Sequence, residues 1–257
     1  PPSYFLDMFS DIGGFALAAY NSGLRFNAHY FSEIDEYAVK VYKKRFPDAI
    51  ALGDIREIEY EKLPKGNWLV TGGFPCQPHS LCGDRKGGAD ERNLWFACAE
   101  AISKIRPKIA LFENVPGLLS SNGGYFFNKV LSDISARGYD AEWQIISAND
   151  VGAPHLRKRI WIVAYPNGGG LHEIEVQEKI TKSALAETDV NESVYNEFIS
   201  NAFCSKDGLL SNGYIVGEND GLSEELDRFK CLGNAIVPQC AERIMRLPAF
   251  GLWREAD

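Results

Sequence analysis

Short apolar runs of strand length alternate with stretches of helical spacing over the first two thirds of the chain. Tyr4–Phe9, His29–Glu33, Ile50–Leu52, Trp68–Thr71, Ile109–Phe112, Trp143–Ile146 and Ile160–Ala164 carry the β-branched and aromatic bias of strands. Between them, Asp35–Arg45, Leu94–Ile105 and Tyr125–Arg137 place apolar residues at helical intervals, with Arg106-Pro107 and Gly138 as stops after the last two. Strand, helix, strand in repetition predicts an α/β domain on a mostly parallel, Rossmann-like sheet. Such sheets gather ligands at the carboxyl ends of their strands. The polar punctuation falls there, at Ser10–Gly14, Glu33–Asp35, Gly53-Asp54, Gly72–Ser80 and Glu113–Gly117. After Tyr165 the alternation stops. Pro166–Gly170 is a glycine-rich break, Leu171–Leu226 is polar and weakly periodic, and regularity returns at Arg228 with a final helix over Ile236–Leu247. The pattern therefore predicts a main domain of 1–165 plus 228–257, interrupted by a short insert at 166–227.

Composition narrows the class. A chain of 257 residues, 45% hydrophobic, suffices for one well-buried domain with a small appendage. No apolar run approaches the roughly 18 residues of a membrane span. The first basic residue is Arg25, so a secretory leader is not expected either. Six cysteines, at 76, 82, 98, 204, 231 and 240, contain no Cys-x-x-Cys pair, and free thiols in a reducing compartment are the expectation. The net charge of −8 is uneven: Pro166–Leu226 holds 12 acidic residues, 3 Lys and no Arg, a net of −9, which leaves +1 for the remainder. That argues against a uniformly basic nucleic-acid coat.

The chemistry-bearing residues sit at the predicted strand ends. Asp7–Phe15 runs from a strand into a glycine pair, where backbone N–H groups can approach a ligand; an ordinary tight turn reads the same way. Glu33, about 20 residues past the glycines, suits ribose hydroxyls. Asp54 suits an exocyclic amine, and a solvated cap is the rival for both. Pro75-Cys76-Gln77 places a thiol in stiff backbone; it can serve as a nucleophile if its surroundings favour the thiolate, or as a buried structural Cys. Cys76, His79 and Cys82 repeat every three residues, but zinc needs a fourth ligand that no neighbour supplies. Glu113 leaves an apolar run, where desolvation raises a carboxyl pKa and favours a general acid over a surface ion pair. Strand alternation puts Arg157 and Arg159 on one face, fitting phosphate or a polar ring edge, or a solvated basic edge.

In order, Asp7–Phe15, Glu33, Asp54, Pro75-Cys76-Gln77, Arg92–Leu94, Glu113-Asn114-Val115, Arg157-x-Arg159 and Leu232-Gly-Asn234-Ala235 resemble the C5-cytosine-specific DNA methyltransferase family. The resemblance covers 1–165 and 228–247. It implies S-adenosylmethionine as donor, S-adenosylhomocysteine as product and no metal. Phe9, Asp11, Ile12, Gly13, Gly14, Glu33, Ile34, Asp54, Ile55, Phe74, Pro75, Leu94, Asn234 and Ala235 would form the cofactor site. Cys76 would attack C6 of a flipped cytosine, with Glu113 at N3, Arg159 on the O2 side and Arg157 as a further basic group reaching phosphate. Gln77, Ser80, Arg85, Lys86 and Asn114 would meet the substrate. The implied partner is double-stranded DNA, with a cognate restriction endonuclease alongside, and the implied form is a cytoplasmic monomer, nuclear if eukaryotic.

Three departures stand out: Asp11 where the family has glycine, His155 where it has Gln, and an acidic insert where it has a longer recognition region. The rival readings are a tRNA cytosine methyltransferase, a non-catalytic binding protein that keeps the fold, and a nicotinamide-dependent dehydrogenase that would leave Pro75-Cys76 and the Arg pair idle.

Overall fold

The structure, a computed structural model, describes residues 1–75, 92–168, 210–211, 214–215 and 234–254. Its centre is a seven-stranded sheet: β1 (Ser3–Met8), β2 (Ala28–Ser32), β3 (Ile50–Ala51), β4 (Asn67–Gly72), β5 (Ile109–Asn114), β6 (Tyr139–Ser147) and β7 (Lys158–Pro166). Spatial order is β3-β2-β1-β4-β5-β7-β6. The first five strands are parallel, and β7 pairs antiparallel with both β5 and β6. A two-residue pair, Leu210–Ser211 with Tyr214–Ile215, lies outside this sheet.

Every apolar run predicted as a strand coincides with a strand, with Phe9, Glu33 and Leu52 falling one residue past the ends of β1, β2 and β3. β6 and β7 are longer than expected; Gly138, at φ 76, turns the chain so that β6 starts at Tyr139, soon after the preceding helix. The helices are α1 (Gly14–Asn21), α2 (Glu36–Arg45), α3 (Arg92–Ile105), α4 (Tyr125–Ser135) and α5 (Pro238–Met245). The last begins two residues later than predicted, since Pro238 is suited to the first turn and lacks the N–H an interior position needs.

Alternation along each strand feeds two cores. Phe5, Leu69, Leu111 and Trp161 point to one face with α1 and α5; Leu6, Val70, Phe112 and Ile162 point to the other. Chain growth reverses between β1 and β4, so the carboxyl edge opens there.

The C-terminal segment closes one side of that opening. A Cβ built at Gly14 would meet Cγ1 of Ile236 at 2.5 Å, closer than two carbons can pack. Gly14→Ala is expected to cost about 1–3 kcal/mol by overpacking, measured by urea unfolding. Adding Ile236→Ala should recover part of that loss; a double variant no better than the single one would show that the contact is not limiting.

Candidate active site

The turn after β1 is held from three sides. Gly13 N–H donates to the Ser10 carbonyl at 2.9 Å, Ser10 N–H to the Ser32 carbonyl at 3.2 Å, and Asp11 N–H to Glu33 Oε2 at 2.8 Å. Phe9 (φ 51), Asp11 (φ 45) and Gly13 (φ 90) all adopt left-handed backbone. Asp is among the few non-glycine residues that enter this region readily, which explains how Asp11 can occupy it. Gly13 has no alternative, because a Cβ there would lie 2.8 Å from the Phe46 ring and 3.1 Å from Tyr42.

Glu33 Oε1 accepts from the Ile34 and Asp35 N–H groups at 2.8 and 2.9 Å, so three backbone donors orient the carboxylate. Beside it, Ile34 leaves 70% of its surface exposed. Phe9 and Leu94 pack partly buried against the same core as Ile55 and Phe74, while Ile12 and Ala235 are buried together against Ala38. Ile12, Ile55 and Ala235 thus support the site from the core side. Gly14 is occupied by the Ile236 contact, Asn234 is exposed, and Pro75 is the last residue described before the thiol.

Asp54 takes the capping position that rivals the amine reading. It lies beyond β3 and caps the short turn Ile55–Glu57, accepting from Arg56 N–H at 2.9 Å. The Arg56 guanidinium also pairs with both of its oxygens, holding the carboxyl below the usual range. An amine ligand would share this carboxylate with Arg56.

Across the opening, β5 ends in Glu113 and Asn114, both buried. Arg159 Nε lies 2.8 Å from Glu113 Oε1. Burial pushes the Glu113 carboxyl up to about 7, against the opposing pull of Arg159 and then Arg157. Arg157 corrects the strand reading, since β7 starts at Lys158. Its side chain is nevertheless turned inward, Nη2 donating to the Asn234 carbonyl at 3.3 Å. His155 is exposed just before it, its imidazole pKa lowered by desolvation and then by Arg157.

Asn114, expected at the substrate, spends its amide on the backbone. Its Nδ2 donates to the Phe74 carbonyl at 2.8 Å and its Oδ1 accepts from Val115 N–H at 2.8 Å. Phe74 is packed on Trp95 of α3, ring centroids 5.1 Å apart, and the Trp95 indole donates to buried Asp133 of α4 at 3.0 Å. These contacts anchor the segment two residues ahead of position 76. Pattern reading missed the Trp95–Asp133 link; the one signal was an acid at a buried position of the predicted helix. Gly73 was also missed: a Cβ there would sit 3.4 Å from Glu113 Oε2. Cys76, Gln77, Ser80, Arg85 and Lys86, with His79 and Cys82, lie outside the described residues. Among the described residues no three His, Cys, Asp or Glu side chains converge as metal ligands, and no helix is long and apolar enough to cross a membrane.

A family model described as C-5 cytosine-specific DNA methylase matches residues 4–219. The chain is similar to the type II methyltransferase M.BsuFI of Bacillus subtilis, 31% identical over 233 residues that cover 88% of this chain and 53% of that protein. It is also similar to M.HhaI of Haemophilus parahaemolyticus, 32% identical over 164 residues covering 63% of this chain and 49% of the relative. The chain thus spans about half the length of these curated relatives. Among solved structures it resembles a prophage-encoded DNA modification methyltransferase from E. coli, with a TM-score of 0.53, 25% identity, and coverage of 63% of this chain and 46% of that one. A DNMT2 mutant of Spodoptera frugiperda shares the fold at a TM-score of 0.55 and 24% identity, covering 65% of this chain and 50% of the other.

Two measurements check this geometry. Asn114→Ala leaves the Phe74 carbonyl without its donor, and urea unfolding should show a loss of about 1–3 kcal/mol. Glu113, raised to about 7 in the fold from 4.5, favours the folded state most below about 4.5 and loses that contribution as pH rises through 7. Relative to Glu113→Gln, the parent chain should therefore become progressively less stable between pH 5 and 8; a flat difference would contradict the burial of this carboxyl.

Proposed function

The chain belongs to the C-5 cytosine-specific DNA methylase family, and from that premise we propose that it methylates C5 of cytosine in double-stranded DNA with S-adenosylmethionine as donor. The carrying observation is the pairing of buried Glu113 with half-buried Arg159 at the carboxyl end of β5, on the far side of the opening from the glycine turn. The residues present fit the donor. Gly13 sits where a Cβ would crowd the Phe46 and Tyr42 rings, Glu33 presents an oriented carboxylate, and Ile34, Phe9 and Leu94 offer apolar surface. Bound there, S-adenosylmethionine supplies a methyl group activated by its sulfonium.

The protein's own groups divide the remaining work. A cytosine ring carbon is inaccessible within a duplex, so the base must leave the stack. Cys76 adds as thiolate to C6, forming a carbon–sulfur bond and pushing electrons toward C5 and N3. Glu113, near 7, carries the proton that neutralises N3, and Arg159 faces the O2 side. After C5 is alkylated, its proton passes to water, the N3 proton returns to Glu113, and the electrons restored to the ring expel the thiolate. Asn114 acts through Phe74 by fixing the approach to Cys76.

A second reading makes a tRNA cytosine the acceptor. Its support is the net charge of −9 over Pro166–Leu226, a poor complement to duplex phosphates. The type II names of the relatives bring a cognate restriction endonuclease into the proposal. A cytoplasmic monomer completes it.

Labelled donor incubated with mixed-sequence duplex DNA and, in parallel, with tRNA tests the acceptor. Label at C5 of duplex cytosine is expected, and label confined to tRNA selects the second reading. Cys76→Ser should abolish turnover while calorimetry still shows donor binding; retained turnover would remove Cys76 from the mechanism. Arg159→Leu is expected to slow turnover by about 10²–10³-fold, as loss of one charge-stabilising donor does elsewhere.

A further inference from the structure

Beneath the glycine turn runs a chain of polar side chains that the proposed chemistry does not use. Asp7, fully buried on β1, accepts from Thr71 Oγ1 of β4 at 2.8 Å and from the Tyr42 hydroxyl of α2 at 3.0 Å. The Ala16 N–H, in the first turn of α1, donates to it as well. Tyr42 Oη lies 2.7 Å from Nε2 of His29 on β2, and His29 Nδ1 lies 3.2 Å from the Tyr20 hydroxyl of α1. Tyr20 is half-buried, with Arg25 and Asp48 as its charged neighbours. Glu33 is the other charge felt by Asp7. Tyr42 stacks on Phe31, with ring centroids 4.1 Å apart, and fills the space under Gly13. The path therefore leads from a partly exposed hydroxyl to a carboxyl directly below the turn.

This chain satisfies every donor and acceptor in two opposite directions. With Asp7 ionised, Tyr20 donates to Nδ1, Nε2–H donates to Tyr42, and Tyr42 donates to Asp7. With Asp7 protonated, Asp7 donates to Tyr42, Tyr42 to Nε2, and Nδ1–H to Tyr20. The two differ by one proton. One from water enters at the Tyr20 oxygen, each group passes its own proton onward, and one arrives on Asp7. His29 stays neutral in both states and changes only its tautomer.

We propose that Tyr20, His29, Tyr42 and Asp7 form a reversible proton relay that sets the charge beneath the cofactor turn, with Tyr42 and His29 as positioning residues. Burial and its partners give the groups compatible affinities. Desolvation raises Asp7 to about 8, lowers His29 to about 4, and pushes Tyr42 well above its usual value. An ionised Asp7 favours the cationic sulfonium donor over its uncharged thioether product. This last consequence rests on the proposed cofactor; the relay itself does not.

Nitrogen NMR of the four histidines tests the relay directly. His29 should carry its proton on Nδ1 at pH 7 and on Nε2 at pH 9, neutral throughout, and Tyr42→Phe should abolish the exchange. A single His29 tautomer across this range, or a charged ring, would overturn the proposal. Thr71→Val keeps the path but removes a donor to Asp7, so the midpoint should move upward; an unchanged midpoint would also count against it, and this variant serves if Tyr42→Phe does not fold. Calorimetry across the same range should show preference for S-adenosylmethionine over S-adenosylhomocysteine rising threefold or more, and a flat ratio would sever the relay from the site. If neither compound binds, the proposed function fails while the tautomer titration still decides the relay.

Discussion

Removing a carboxyl group from water costs several kcal/mol unless hydrogen bonds or a cation replace its hydration. This fold does so twice at one edge of the sheet, with Asp7 at the end of β1 and Glu113 at the end of β5. The compensation differs. Glu113 is matched by a guanidinium, Arg159, brought across by the antiparallel β5–β7 pairing. Asp7 is matched by neutral donors, Thr71, Tyr42 and the Ala16 N–H. Burial outweighs both sets of partners and pushes the two carboxyls toward the neutral range, one beside the proposed reacting base and one beneath the proposed donor.

Close packing holds these groups in place. Glycines at 13 and 14 stand where a methyl group would strike, respectively, the Phe46 and Tyr42 rings and Ile236. The C-terminal segment therefore belongs to the site despite its distance in sequence. Asn234 receives Arg157, and Ile236 seals the helix that starts at Gly14. On the other face, Asp133 steadies Trp95, Trp95 packs on Phe74, and Asn114 grips the Phe74 carbonyl. A displacement in either core is transmitted to the opening because interiors packed at crystal-like density leave little slack.

Much of the fold was legible because its signals are local. Apolar runs of strand length, helical spacing and glycine or proline stops depend on neighbours a few residues away, and they located all seven main strands and helices α2 to α5. The antiparallel entry of β7 between β5 and β6 carries no such local mark, since Ile160–Ala164 reads the same in either direction. Arg157 and Arg159 show the limit: alternation put them on one strand face, yet the strand starts between them and only Arg159 reaches Glu113 directly.

By itself the sequence determined the alternating α/β architecture, the placing of Glu33 and Glu113 at strand ends, and the motif order that identifies the family. These follow from periodicity, chain punctuation and residue chemistry. Tertiary structure alone decided which polar groups share a partner. Asp7, His29 and Thr71 interrupt three different apolar strands, and they connect because parallel register sets Asp7 beside Thr71 and Phe5 beside His29 while α2 lowers Tyr42 between them. Asn114 likewise became a backbone clamp on Phe74, a contact that spacing along the chain does not encode. A hydrogen bond depends on distances of a few tenths of an ångström, and only the packed fold sets those.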